Sequence, residues 1–386
     1  MKIFHTADWH LGKIVQGVHM TEDQRYILNQ FIREIEEEEP DAIVIAGDLY
    51  DRSVPAAEAV HLLDEVLQRI VLQLNIPVLA IAGNHDSPSR LDFASQILRD
   101  NGLHIVGKID LTRKPVILHD EHGPVYFHLV PFADPSTVKH LFADDHVRNH
   151  DDAMKKIIEH ITTNQWDDAA RHVFVGHAFV TPYGEKADKT SDSELTLSIG
   201  GAEFVNAKHF APFHYTALGH LHRAHFVRQK NIQYAGSILK YSISEEHHQK
   251  GFTVVEIDQA GNVQLERRTL KPKHDLRRVE ATMDDLLQHP INNDYVFVRL
   301  LDETPILYPM EKVRSIYPNA LHVDRKHSII SHQMKSDSGK GLERTKMSDQ
   351  QLFRLFYEQV KGEPIPEEAE TIFTEVLDDL LQADRQ

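Results

Sequence analysis

The chain has 386 residues, 42 Lys+Arg against 59 Asp+Glu for a formal charge of −17, and no cysteine. That acidity argues against adhesion to nucleic acid or anionic membrane through an overall field. The absence of cysteine removes disulfides, thiolate metal sites, iron–sulfur clusters and cysteine nucleophiles.

At about 150 residues per domain the length allows two or three domains. Histidine is abundant, at 27 residues, and it is the commonest metal ligand. Met1-Lys2-Ile3-Phe4-His5 runs on to Asp8 without an apolar signal core. No run approaches the ~20 apolar residues of a membrane span, so a cytoplasmic protein with no membrane partner is expected.

In chain order, Lys2–Thr6 is a short apolar run that ends at Asp8. Residues 23–38 read as a helix with Ile27, Leu28, Phe31, Ile32 and Ile35 on one face, stopped by Pro40. Ala42-Ile43-Val44-Ile45-Ala46, closed by Gly47-Asp48, has the pattern of a strand buried on both faces. Residues 55–74 form a second amphipathic helix, and residues 77–82 a second buried strand closed by Gly83-Asn84. Strand–helix alternation implies parallel strands with covering helices. Later strands fit 124–131, 172–175, 215–218, 232–235 and 252–258, and their closer spacing predicts a second, partly antiparallel sheet.

The character changes at Lys271-Pro272-Lys273, which reads as a hinge. Residues 271–331 then form a small α+β capping module, 332–346 a flexible linker, and 347–386 a pair of amphipathic helices broken at Gly362-Glu363-Pro364. Residues 1–270 make the principal domain.

The chemistry sits where the apolar runs stop. Those ends carry Asp8-Trp9-His10, Gly47-Asp48-Leu49-Tyr50-Asp51, Gly83-Asn84-His85-Asp86, Gly176-His177 and Gly219-His220-Leu221-His222. In open α/β sheets, ligands bind at the carboxyl ends of the strands, so these side chains share one rim. Imidazole, carboxylate and amide oxygen without sulfur suit Mn, Fe, Zn or Co better than Ca or Mg. The donors are too many for one tetrahedral site but suit two metals sharing a carboxylate, which clamp a phosphoryl group and acidify a shared water. Any one of these motifs alone is an ordinary turn or cap; their succession in order carries the reading. His5 is expected as a core histidine, Trp9 as packing, and most other histidines, His150 among them, as solvated surface.

In this order the motifs resemble those of the calcineurin-like metallophosphoesterases. The nearer likeness is to the nuclease subunits that work with an SbcC-type ATPase subunit in bacterial DNA repair. His5-Thr6-Ala7-Asp8-Trp9-His10-Leu11-Gly12, Ser191-Asp192-Ser193-Glu194, Gly200-Gly201-Ala202-Glu203 and Tyr234-Ala235-Gly236-Ser237 support it.

The resemblance implies a four-layer α/β/β/α sandwich with a small α+β cap and a helical tail. It implies two divalent metal ions, with Mn²⁺ the expected one. Asp8, His10, Asp48 and His222 would hold the first, and Asp48, Asn84, His177 and His220 the second. His85 would be catalytic, serving the leaving oxygen, with Asp51 and Asp86 as holders of imidazoles.

The implied activity is a 3′–5′ exonuclease on double-stranded DNA with endonuclease action on single strands and hairpins. A homodimer through residues 55–75 and 89–100 would stand inside a heterotetramer, and the tail would grip the ATPase. No Gly-x-x-x-x-Gly-Lys-Ser/Thr occurs in this chain, so ATP chemistry belongs to the partner. The competing readings are a phosphodiesterase for cyclic nucleotides or small phosphodiesters, and a non-enzymatic scaffold. By segment the formal charge is −12 over 1–270, +2 over 271–346 and −7 over 347–386. The cap is therefore the expected DNA-facing surface.

Overall fold

The computed structural model describes residues 1–184, 192, 194, 203–325, 348–361 and 364–383. The chain divides into two compact units, Met1–Asp275 and Leu276–Gln386.

In the first unit the apolar run Lys2–Thr6 becomes the middle of a six-stranded sheet. Its neighbours on one side are Ala42–Ile45, Val78–Ile81 and Leu103–Val106, all parallel. Every residue of Ala42–Ile45 and Val78–Ile81 is buried, as their uninterrupted apolar sequences require. On the other side lie Gly251–Ile257 and then Val263–Thr269, both pairings antiparallel. The expectation that 252–258 belongs to the second sheet is therefore corrected. Six of the seven residues of Gly251–Ile257 are buried, which fits a strand hydrogen-bonded on both sides and not an edge.

Helix Thr21–Glu38 covers the outer face of this sheet, with Phe31 against Phe4 and Phe252 at ring separations of 6.2 and 4.9 Å. It ends where Glu39 turns left-handed at φ 43°, one residue before Pro40. The second predicted helix begins at Ala57, and beyond Leu67 it widens into a π-helical turn over Gln68–Gln73.

The second sheet also has six strands. Gly123–Val130, Arg171–His177, Tyr215–Gly219 and Gln229–Tyr234 run parallel at its centre, and the antiparallel pairings fall at its edges, Val116–Asp120 and His225–Val227. The two sheets meet face to face over Val44, Leu79, Ile81, Phe127, Val173, Val175, Ala217 and Val255. On the far face of the second sheet, helix His150–Asn164 packs Met154, Ile157 and Ile161 against Phe174 and Phe210. Helix, sheet, sheet and helix are the four layers, and both sets of parallel strands deliver their carboxyl ends to a common rim. His150, expected at the surface, is buried at the start of that helix.

In the second unit, Leu276–Ala281, Tyr295–Leu300 and Ala320–Arg325 form a three-stranded sheet. Its strands are all parallel, with the short helices Met283–Leu286 and Pro309–Arg314 in the connections. Its core is Val279, Leu286, Val296, Val298, Leu300 and Val313. Helices Asp349–Lys361 and Glu367–Ala383 pair through Phe353 stacked on Phe373 at 3.8 Å and through the Arg354–Glu370 ion pair. The expected linker at 332–346 lies outside the described residues. Among the described residues, no helix is long and apolar enough to cross a membrane.

Candidate metal centre

The rim is built by locking two strand ends together. The Asp8 N–H donates to the Gly47 carbonyl (3.1 Å), His10 N–H to that of Asp48 (3.0 Å) and Leu11 N–H to that of Leu49 (2.9 Å). Asp8, His10, Asp48 and His220 all stand at positive φ, at 54°, 46°, 52° and 104°. Strained non-glycine backbone persists where surrounding structure enforces it, and here it coincides with the candidate ligands. Glycine is required beside them. A Cβ on Gly83 would lie 2.1 Å from Asp48 Oδ1, and one on Gly219 would lie 1.9 Å from the Ala46 carbonyl oxygen.

The side chains converge as the strand ends do. Asp8, His10 and His222 offer ligand atoms within 4.8 Å of one another, and so do Asp8, Asp48 and His177. Nε2 of His10 faces Nε2 of His222 at 3.0 Å. Asp48 Oδ2 lies 3.4 Å from His177 Nε2 and 3.7 Å from His10 Nε2, between the two groups. Asn84 Oδ1 sits 2.8 Å from His177 Nε2 and 3.3 Å from His220 Nδ1. All seven residues expected to hold metal thus meet in one place. His85 joins them, its N–H donating to Asp48 Oδ1 and its ring 4.6 Å from that of His10.

The outer contacts set which nitrogen faces inward. His177 Nδ1 donates to the Ala46 carbonyl at 2.9 Å, and His85 Nδ1 to the Asp51 carbonyl at 2.8 Å. His222 Nδ1 donates to Glu245 Oε1 at 3.0 Å. Asp51, expected to hold an imidazole, pairs its carboxylate with Lys13 at 2.8 Å and stands 3.7 Å from His10 Nδ1, beyond hydrogen-bond reach. Asp86 does something else. It takes the backbone N–H groups of Leu49, Tyr50 and Gly83, tying the two loops together instead of holding an imidazole. Nothing in the local sequence signals this, because an Asp caps loops and orients histidines with the same atoms.

Residues that sequence reasoning missed lie beneath His222. Glu245, wholly buried, pairs through Oε2 with Lys250 Nζ at 2.5 Å, and that ammonium also donates to the His222 carbonyl (2.8 Å) and Ser237 Oγ (2.7 Å). Beside His10, Gln24 donates to the carbonyls of Trp9 and His10. Both Glu245 and Lys250 sit in Glu-Glu-His-His-Gln-Lys, which by composition reads as a solvated loop. Glu194, visible in the sequence only as part of a motif, accepts the His222 N–H at 2.6 Å. His5 and Trp9 are buried as expected, bonded to Tyr215 and Thr6.

Electrostatics mark the place as one that wants positive charge. Burial pushes the Asp8 carboxyl up to about 6 despite His177 and His222. Asp48 is as deeply buried, yet the His177 and His10 imidazoles hold its carboxylate well below the usual range. Burial opposes an imidazolium at His177, but the adjacent Asp48 carboxylate raises it to about 9. Burial keeps His10 and His220 well below the ordinary histidine value. Asp8 Oδ2 is buried with no hydrogen-bond partner among the described residues. An orphan carboxylate oxygen beside inward-facing imidazole nitrogens is a donor set that fits divalent cations.

The calcineurin-like phosphoesterase family profile matches residues 1–224. The SbcD nuclease subunit of SbcCD from Staphylococcus epidermidis is 37% identical over 367 residues, covering 93% of each chain. The chain belongs to the SbcD family of calcineurin-like phosphoesterases. A second profile, described as the type 5 capsule protein repressor C-terminal domain, matches residues 272–361. The crystal structure of TT1561 from Thermus thermophilus aligns with 69% of this chain and 98% of its own, at 11% identity and a TM-score of 0.36. Family membership makes the chain a metal-dependent phosphoester hydrolase, in agreement with the strand-end reading.

Proposed function

We propose that the chain is the nuclease subunit of an SbcC–SbcD-type complex, hydrolysing DNA phosphodiesters. The observation that carries the reading is the buried Asp8–His10–His222 and Asp8–Asp48–His177 constellation in a chain related along nearly its whole length to a nuclease subunit. Asp8, His10, Asp48 and His222 would hold one divalent ion, and Asp48, Asn84, His177 and His220 a second, with Mn²⁺ the preferred metal. When bound, the ions neutralise phosphoryl oxygens and acidify water.

The chain's own residues do the rest. Asp48, the acceptor of the His85 N–H, keeps that imidazole beside the centre. The Asp51 carbonyl accepts a hydrogen bond from its Nδ1–H, leaving Nε2 to serve the departing oxygen. The buried walls around Asp8, His10 and His222 exclude bulk water, so charges there act in a low dielectric.

The substrates are duplex ends, cut 3′ to 5′, and hairpin or single-stranded loops. The second unit provides the DNA-facing cap, and the paired tail helices dock on the ATPase, with Phe356, Ile372 and Val376 exposed for it. Exposed Leu72, Phe93 and Ile97 support dimerisation through the early helices within a cytoplasmic heterotetramer. The test compares end-labelled hairpin DNA with bis-p-nitrophenyl phosphate in Mn²⁺ and Mg²⁺, with and without the ATPase subunit. Expected are Mn²⁺-dependent DNA products and a loss of at least about a hundredfold in His85→Ala. Turnover confined to the small ester would refute the reading.

A further inference from the structure

In a chain of charge −17, residues 204–244 contain no Asp or Glu and carry Lys208, Arg223, Arg228, Lys230 and Lys240. Candidate ligands His220 and His222 fall inside this stretch. Immediately after them the chain forms the hairpin of His225–Val227 and Gln229–Tyr234, and His225–Val227 is an edge of the second sheet. Arg223, Phe226, Arg228 and Lys230 are exposed on it.

Several cations of the first unit are engaged: Lys13, Arg25, Arg69, Arg113, Arg171, Lys240, Lys250 and Arg268 all pair with carboxylates. Among the described residues, Arg223, Arg228 and Lys230 have no such partner.

The hairpin is held in register with the metal rim. Tyr234 lies opposite Leu218 on one side and His225 on the other, and the His225 and Tyr234 rings stack at 5.0 Å. Gly236, at φ 71°, lets the backbone of 222–224 pass so closely that a Cβ there would stand 2.8 Å from the His222 oxygen. From that rim the strands run away along the sheet edge. At about 3.3 Å per residue, Gln229–Tyr234 covers ~20 Å. At about 3.4 Å per base pair that is roughly six pairs of duplex.

We propose that this edge hairpin is a DNA track. Arg223 at its rim end, and Arg228 and Lys230 at its far end, bind phosphates of the duplex leading into the metal centre, and Phe226 packs on the sugar–base edge where the strands part. The proposal rests on the nuclease reading above. Exposed cations on a strand pair that leads away from buried, metal-seeking carboxylates suit a polyanion that must approach a negative protein, and no small phosphodiester is long enough to need them.

The test uses the full chain with Arg228→Gln/Lys230→Gln and, separately, Phe226→Ala, all outside the metal centre. Fluorescence anisotropy with a labelled duplex of about 30 base pairs in EDTA, across a KCl series, reads binding without hydrolysis. Each lost phosphate contact should lower the slope of log K against log salt by about 0.9, so the double variant should lose about two. In Mn²⁺ its KM for DNA should rise at least tenfold while hydrolysis of bis-p-nitrophenyl phosphate stays at the wild-type value, which also certifies the fold. A double variant with the wild-type salt slope and DNA KM overturns the track, as does wild-type protein that fails to bind duplex at any salt. The expected slope change in the double variant, beside wild-type protein that cleaves only the ester, overturns the nuclease reading and leaves the track standing.

Discussion

Lys250→Met isolates the buried charge pair beneath His222. The ammonium makes hydrogen bonds of 2.5 Å to Glu245, 2.7 Å to Ser237 and 2.8 Å to the His222 carbonyl, in a pocket where Glu245 is fully buried. Removing one partner of such a pair leaves an uncompensated carboxylate and costs about 3–5 kcal/mol. For a unit of this size that lowers the melting temperature by roughly 10 °C. Glu245→Leu/Lys250→Met removes both charges, and most of that loss should return, because a packed apolar pair replaces a buried ionic one at little cost.

Metal affinity should behave differently. In the double variant His222 Nδ1 has lost its acceptor, so the ring is no longer held with Nε2 toward His10, and divalent-metal affinity should stay about 10–100-fold below wild type. Urea unfolding of the metal-free proteins and Mn²⁺ titration calorimetry read the two effects separately. A Lys250→Met protein that unfolds within about 1 kcal/mol of wild type would refute the buried-pair account, as would a double variant that recovers metal affinity together with stability.

Asp48→Asn removes the carboxylate that lies between the two ligand groups; elemental analysis should show fewer than two metals per chain, and DNA hydrolysis should fall at least about a hundredfold. Gly83→Ala drives a Cβ to 2.1 Å from Asp48 Oδ1, so a destabilisation of about 1–3 kcal/mol is expected together with weakened metal binding, both by the same assays. His5 and His128 are lowered to about 3, in each case mainly by burial, with Arg267 and His172 respectively adding to it. The fold therefore refuses protons that the unfolded chain accepts below its ordinary histidine value near 6.5. Their contribution is fully present above that pH and is lost as pH falls toward about 3, at about 1.4 kcal/mol per pH unit for each histidine. His128→Asn should flatten the dependence of urea stability between about pH 6 and pH 5 by about that amount, and equal slopes in the two proteins would contradict it.

The sequence by itself determined the candidate ligand positions, because a buried parallel strand is mostly apolar and chemistry-bearing side chains cluster at its carboxyl end. Asp8, Asp48, Asn84, His177 and His220 are therefore visible as the first chemistry after each apolar run, and order along the chain suffices to gather them. The α/β character follows from the same alternation. What lay beyond it were relations between distant segments. Gly251–Ile257 joins the first sheet through Lys2–Thr6, a pairing between opposite ends of the first unit that no local pattern encodes. Glu245 and Lys250 look like solvated loop residues until the fold buries them under His222, and Asp86 looks like an imidazole holder until its loop geometry gives it three backbone N–H groups. Local sequence sets which residues can be ligands; tertiary structure decides which atoms hold those ligands still, because hydrogen bonds and burial act through space and not along the chain.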